Sequence, residues 1–148
     1  MPERLPEHWK PAATTLRRVV PVAQKRHASG LTVALSFLEI HEGGSGFLGF
    51  LMRQDHPTRR RAITSPGLEL RIREDSGRQL ETREDGSGSS MESSYATLEA
   101  HASLLVFGLP DSGDIEAEVL RFVELDDFGR FREKWPSWEG PWTFQFRV

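Results

Sequence analysis

The chain has 148 residues, a formal net charge of -3 and no cysteine. That length suits one domain, able to bury roughly two thirds of its unfolded surface without covalent staples. The missing thiols exclude disulfides, thiol catalysis and thiolate metal ligation, and the acidic balance removes any bulk attraction to nucleic acid or an anionic membrane.

Residues 1–13 contain three prolines and read as an extended arm, with Trp9 as its anchor in an apolar groove. Met1 to Pro11 has neither the basic n-region nor the apolar h-region of a secretory signal, and no apolar run is long enough to span a bilayer. The expectation is a cytoplasmic chain without membrane insertion, with residues 14–148 forming a single β-sandwich domain.

Leu16, Val19, Val20 and Val22 surround Pro21 in a first strand, Thr15 to Gln24. A proline cannot donate to a ladder, so this strand belongs at a sheet edge or carries a bulge. Lys25 to Gly30 reads as a polar turn. Leu31, Val33, Leu35 and Phe37 alternate with Thr32, Ala34 and Ser36, the pattern of a buried strand, and Leu38 and Ile40 signal a slip of phase near its end. Gly43, Gly44, Ser45 and Gly46 close a hairpin onto Phe47 to Met52. That run is apolar throughout, which predicts a strand buried on both faces or covered by a loop, and makes it a self-association candidate if the monomer leaves it bare.

Arg53 to Arg61 forms a polar connection. Leu68, Leu70 and Ile72 then alternate with Glu69, Arg71 and Arg73, and a turn at Asp75, Ser76 and Gly77 leads to a second polar run from Leu80 to Arg83, predicting a β-hairpin with charges paired across it. Glu84 to Ser94, rich in Gly and Ser, reads as a mobile loop. Tyr95 to Phe107 is a long strand or a broken pair. Ile115, Ala117 and Val119 alternate until the phase shifts at Leu120, predicting a bulge.

Between Asp126 and Pro141 the sequence predicts a short helix capped by Asp127, with Phe128, Phe131 and Trp135 at helical spacing. The last strand puts Trp142, Phe144, Phe146 and Val148 on one face and Thr143, Gln145 and Arg147 on the other. About eight strands with turn signals every 8 to 12 residues predict an all-β antiparallel sandwich, with one short helix before the last strand and a closed barrel as the alternative.

The order of an early strand, a hairpin, the Asp75-Ser76-Gly77 hairpin, a long loop and the closing Gly140-Pro141-Trp142-Thr143-Phe144-Gln145-Phe146 strand gives residues 15–148 a layout that resembles the bacterial immunoglobulin-like domains of anti-sigma regulators and uncharacterised lipoproteins. The resemblance implies an immunoglobulin-like sandwich. It carries no functional residue over, and this chain has no membrane segment of the kind those proteins usually bear.

Catalytic and cofactor motifs fail on inspection. Gly44-Ser45-Gly46-Phe47-Leu48-Gly49 matches G-x-G-x-x-G, but β-formers follow where a pyrophosphate site needs a helix. His41-Glu42 opens like a zincin motif, yet Ser45 stands where the second ligand belongs, and His8, His27, His56 and His101 show no metal spacing. Ser45 has Phe47 where a nucleophile elbow needs glycine. Glu116 with Glu118, and Asp126 with Asp127, read as solvated charge rather than an acid/base pair.

Two clusters are candidate binding sites. Arg59, Arg60 and Arg61, near Arg53 and His56, are a local anion patch or a solvated loop, without the interleaved aromatics that nucleic acid requires. Trp135, Trp138 and Trp142 are either a platform for a sugar or protein, or a plug closing the sandwich, the plug being preferred. The resulting expectation is a non-catalytic module that binds a protein partner, without cofactor or metal. A carbohydrate-binding module using exposed tryptophans is its rival. The candidate binding residues are Trp135, Trp138, Arg59, Arg60 and Arg61.

Overall fold

The computed structural model describes residues 9–57, 62–63, 65–91, 97–125 and 137–148. Eight antiparallel strands form two sheets: β1 (Leu16–Ala28), β2 (Leu31–His41), β3 (Gly46–Asp55), β6 (Thr97–Phe107) and β5 (Glu81–Met91) lie side by side in that order, and β4 (Pro66–Glu74), β7 (Asp114–Glu124) and β8 (Ser137–Arg147) make the second layer. The fold is an all-β sandwich. The expected helix at 127–135 lies outside the described residues, and the helical turn they do contain is a 3₁₀ turn at Glu42–Gly44.

Alternation sets the inner faces. Leu31, Val33 and Leu35 point into the core, and then an extra residue at Ser36, opposite the Phe50 to Gly49 step of β3, passes the inward role to Leu38 and Ile40. The phase slip therefore falls one residue before Phe37, which turns outward. There its ring occupies the space over Gly49, where a Cβ would come within 2.7 Å of it. From the other layer, Trp142 and Phe144 are fully buried and Val148 nearly so, with Phe146 half-buried beside them. Phe144 meets Phe50 edge to face across the sandwich at 6.1 Å, and Phe122 meets Trp142 at 5.1 Å.

Several expectations need correction. The first turn is only Ser29 and Gly30, both at positive φ (54° and 76°) as a tight two-residue hairpin requires, so Lys25 to Ala28 belong to the strand. Pro21 sits on the edge strand beside a bulge that ends at Gln24 and contains Ala23 at φ 51°. β3 is not buried on both faces: Leu48, Phe50, Met52 and Gln54 point inward, whereas Leu51 is 54% exposed on the outer face.

The Asp75-Ser76-Gly77 turn forms, with Gly77 N–H donating to Glu74 O at 2.8 Å, but the strands it joins part company. After one bridge between Arg73 and Gln79, β4 pairs with β7 and β5 crosses to the other layer. Buried Leu80 marks the corner, because the chain keeps its apolar face inward only by changing sheets there. The charges consequently pair between β4 and β7: Arg73 with Glu116 (2.6 Å) and Glu118 (3.5 Å), and Arg121 with Glu69 (2.7 Å).

Glu84 to Met91 is likewise no loop. It is the greater part of edge strand β5, laddered to β6 from Glu81–Phe107 to Met91–Leu98 and bulged at Asp85. The bulge expected at Leu120 is present, as the extra residue between Arg121 and Val119 opposite Glu69 and Leu70. The last strand begins at Ser137, earlier than its aromatic alternation suggested.

Candidate functional site

The two outer faces of the sandwich differ. On the three-stranded sheet, Glu69, Arg73, Glu116, Glu118 and Arg121 form a ladder of ion pairs. The Arg73 guanidinium and then the Gln145 amide hold the Glu116 carboxyl below its ordinary range, and Arg78 with Ser76 does the same for Glu74. A 530 Å³ depression beside this ladder is lined by both signs of charge, including Arg73, Asp114, Glu116 and Arg147. Charges already paired within the chain present little net field to a ligand.

The outer face of the five-stranded sheet is apolar at its centre and partly covered at one end. Period two along β2 puts Glu39 and His41 on this outer face, where water would normally solvate them. His41 is nevertheless only 1% exposed. The cover is the N-terminal arm. Trp9 stands edge to face against His41 (5.6 Å) and Phe107 (6.1 Å), and the Arg83 guanidinium lies 5.0 Å from the centre of the Phe107 ring.

The arm is then pinned by a turn in which Thr15 N–H donates to Ala12 O (3.1 Å), and Glu42 N–H donates to Thr15 O (2.9 Å). His41 is hydrogen-bonded on both ring nitrogens, Nδ1 with Thr15 Oγ1 at 2.9 Å and Nε2 with Glu39 Oε1 at 3.0 Å. Two cavities flank this cluster. One of 370 Å³ lies between arm and sheet, lined by Lys10, Pro11, Glu39, Phe47 and Asp85, and one of 180 Å³ is bounded by Arg17, Arg18, His41, Leu109 and Asp111 among others.

A hydroxyl, an imidazole and a carboxylate in line is the arrangement that nucleophilic hydrolases use. Here the hydroxyl is otherwise engaged: Thr15 Oγ1 also lies 3.0 Å from Ala12 O and 3.3 Å from Ala12 N, and Thr15 lines neither flanking cavity. The cluster anchors the arm. Beyond the arm the described residues leave apolar side chains of this face exposed or half-buried. Phe37 and Phe47 lie 5.9 Å apart, Leu16 and Val19 are 42% and 52% exposed on β1, and Leu51 stands in one cross-strand row with Lys25, Ala34 and His101.

Of the residues singled out in the sequence, Trp138 and Trp142 are buried in β8, at 1% and 0% exposure, so neither indole offers a ring to a sugar. Trp135, Arg59, Arg60 and Arg61 lie outside the described residues. Arg53, their neighbour, pairs with Asp55 at 3.3 Å. Gly44 to Gly49 runs from the 3₁₀ turn into β3, leaving no helix N-terminus to hold a phosphate. Ser45 is buried, and its hydroxyl donates to Glu42 O at 3.0 Å. The Thr15, Glu39 and His41 cluster was not anticipated. Glu39 and His41 two apart on a strand was the available signal, but only the returning arm makes it a buried site.

Among the described residues no helix is long and apolar enough to cross a membrane. Comparison of the chain with protein-family models, with curated proteins and with solved structures returned no match.

Proposed function

We propose that this chain is a non-catalytic interaction module that binds a protein partner on the open part of the outer face of its five-stranded sheet. The carrying observation is Leu51, 54% exposed at the centre of a five-stranded surface whose same face bears Phe37 and Phe47, while the opposite face of the sandwich carries ion pairs. An apolar sheet surface that the monomer leaves in water gains by being covered. Lys25, exposed in the Leu51 row and without a side-chain partner among the described residues, places a cation at the β1 edge of this surface. The matching partner presents an apolar side chain beside an acidic one. No observation favours the carbohydrate reading.

The test compares capture by the wild-type chain, Leu51→Glu and a control on the other sheet, Thr143→Glu. A partner kept by the control and lost by Leu51→Glu supports the proposal. Binding that survives Leu51→Glu overturns it, and so does concentration-dependent self-association abolished by Leu51→Glu, which would make a second copy the occupant.

A further inference from the structure

We infer that His41 is a proton-operated latch on the N-terminal arm, its protonated ring adding a hydrogen bond to the turn that holds residues 9–15 on the five-stranded sheet. This concerns the arm alone and stands whether or not the face binds a partner.

The inference follows from counting protons at Thr15 Oγ1. Three groups surround that oxygen: Ala12 N–H, which can only donate; Ala12 O, which can only accept; and His41 Nδ1, which can do either. The hydroxyl has one hydrogen. On the other side of the ring Nε2 faces the Glu39 carboxylate at 3.0 Å, so Nε2 carries a proton in either charge state. When the ring is neutral its Nδ1 is bare, the hydroxyl hydrogen turns toward it, and Ala12 O keeps only the backbone bond from Thr15 N–H. When the ring is protonated, Nδ1–H donates to Oγ1, the hydroxyl hydrogen is released to Ala12 O, and every contact is satisfied at once. Acid therefore tightens the arm, and raising the pH loosens it.

The charged groups around the ring come from each element packed on it. They are Glu39 on β2, Glu42 in the turn that follows, Lys10 in the arm, Arg17 and Arg18 on β1, Arg83 and Asp85 on β5, and Asp111 in the turn after β6. Among the described residues only Glu39 is within hydrogen-bond reach of the ring, so the proton balance at Nδ1 is decided between His41 and Thr15.

The experiment is NMR on the full chain between about pH 5 and 8, the range in which imidazoles titrate. It follows the His41 ring carbons together with hydrogen-exchange protection of the Thr15 and Glu42 amides, corrected for intrinsic exchange. The expected result is that protection falls about fivefold with rising pH, the scale of one net hydrogen bond, at the His41 midpoint. Thr15→Ser keeps the hydroxyl and keeps the step, while His41→Gln and Thr15→Val remove it. A His41 ring that keeps one charge state throughout the range, protection that does not follow its change of charge in the wild-type chain, or a step lost in Thr15→Ser, overturns the latch.

Discussion

The Glu84 carboxylate accepts a hydrogen bond from the Leu68 backbone N–H at 3.1 Å, so a side chain of one sheet caps the edge strand of the other. The bulge at Asp85 stands just after Glu84, where the edge strand turns its phase. Burial raises the Glu84 pKa, and the Leu68 N–H only partly offsets that rise. A raised carboxylate contributes stability at low pH that is lost as the pH climbs through its folded value. At neutral pH Glu84 thus supplies a needed acceptor and a costly charge together.

Separating the two effects gives the first prediction. Glu84→Gln keeps an acceptor for Leu68 and removes the charge, so it should be at least as stable as the wild-type chain at pH 7, with the gap closing toward pH 4. Glu84→Ala leaves the N–H without its partner and should cost about 1 to 2 kcal/mol. Urea unfolding of the three proteins at both pH values is the check. Equal losses in Gln and Ala at pH 7 would show that the acceptor is unimportant.

The other open side of the sandwich is closed in a matching way. Gln24, at the end of the β1 bulge, donates through Nε2 to Gln145 O (2.6 Å) and accepts from Gln145 N–H through Oε1 (3.3 Å), imitating a strand with one amide. Gln24→Ala should lower hydrogen-exchange protection of the Gln145 amide and cost about 0.5 to 1.5 kcal/mol. Gln24→Glu keeps only the acceptor and should fall between them. Unchanged protection in Gln24→Ala would mean that another group closes the seam.

What could be read in the sequence follows from what a period-two pattern contains. Trp142, Phe144 and Val148 go inward because alternation has only two choices of face, and a break in alternation, as at Leu120, is a bulge whatever lies opposite. Pairing is not in the pattern. The chain from Leu68 to Arg83 reads as one hairpin because nothing local distinguishes a strand that pairs with its neighbour from one that leaves for the other layer. The Gly and Ser of β5 have poor strand propensity, and the ladder to β6 overrides it. His41 is hidden from sequence for the same reason, since its partners Thr15 and Trp9 arrive from 26 residues or more upstream.

The core carries a third prediction. Trp142 Nε1 is buried with no hydrogen-bond partner among the described residues, an arrangement that costs about 1 to 3 kcal/mol against a satisfied donor. Trp142→Phe removes that donor while keeping an aromatic ring edge to face with Phe122, so its loss of buried area is partly repaid. It should destabilise clearly less than Phe144→Ala, for which about 3 to 5 kcal/mol is expected. Thermal unfolding ranks the pair. A Trp142→Phe penalty as large as that of Phe144→Ala would mean that the indole N–H has a partner in solution.

The ion-pair ladder bears on pH and salt rather than on the core. Glu116 is held below its ordinary pKa chiefly by the hydrogen bond from Arg73, so its contribution is present above the ordinary carboxylate range and lost as the pH falls through the lowered value. Arg73 is 39% exposed and Glu116 32%, which limits the pair to less than about 1 kcal/mol. Arg73→Gln should therefore lose a small increment of stability at pH 7 in low salt. The increment should shrink in 1 M salt, where the screening length is about 3 Å, and the two proteins should converge as the pH falls through the lowered Glu116 value. Urea unfolding of both proteins over that grid decides the matter. A gap that persists in high salt and at low pH would show that the Arg73 stem, by packing on the sheet, contributes more than its charge.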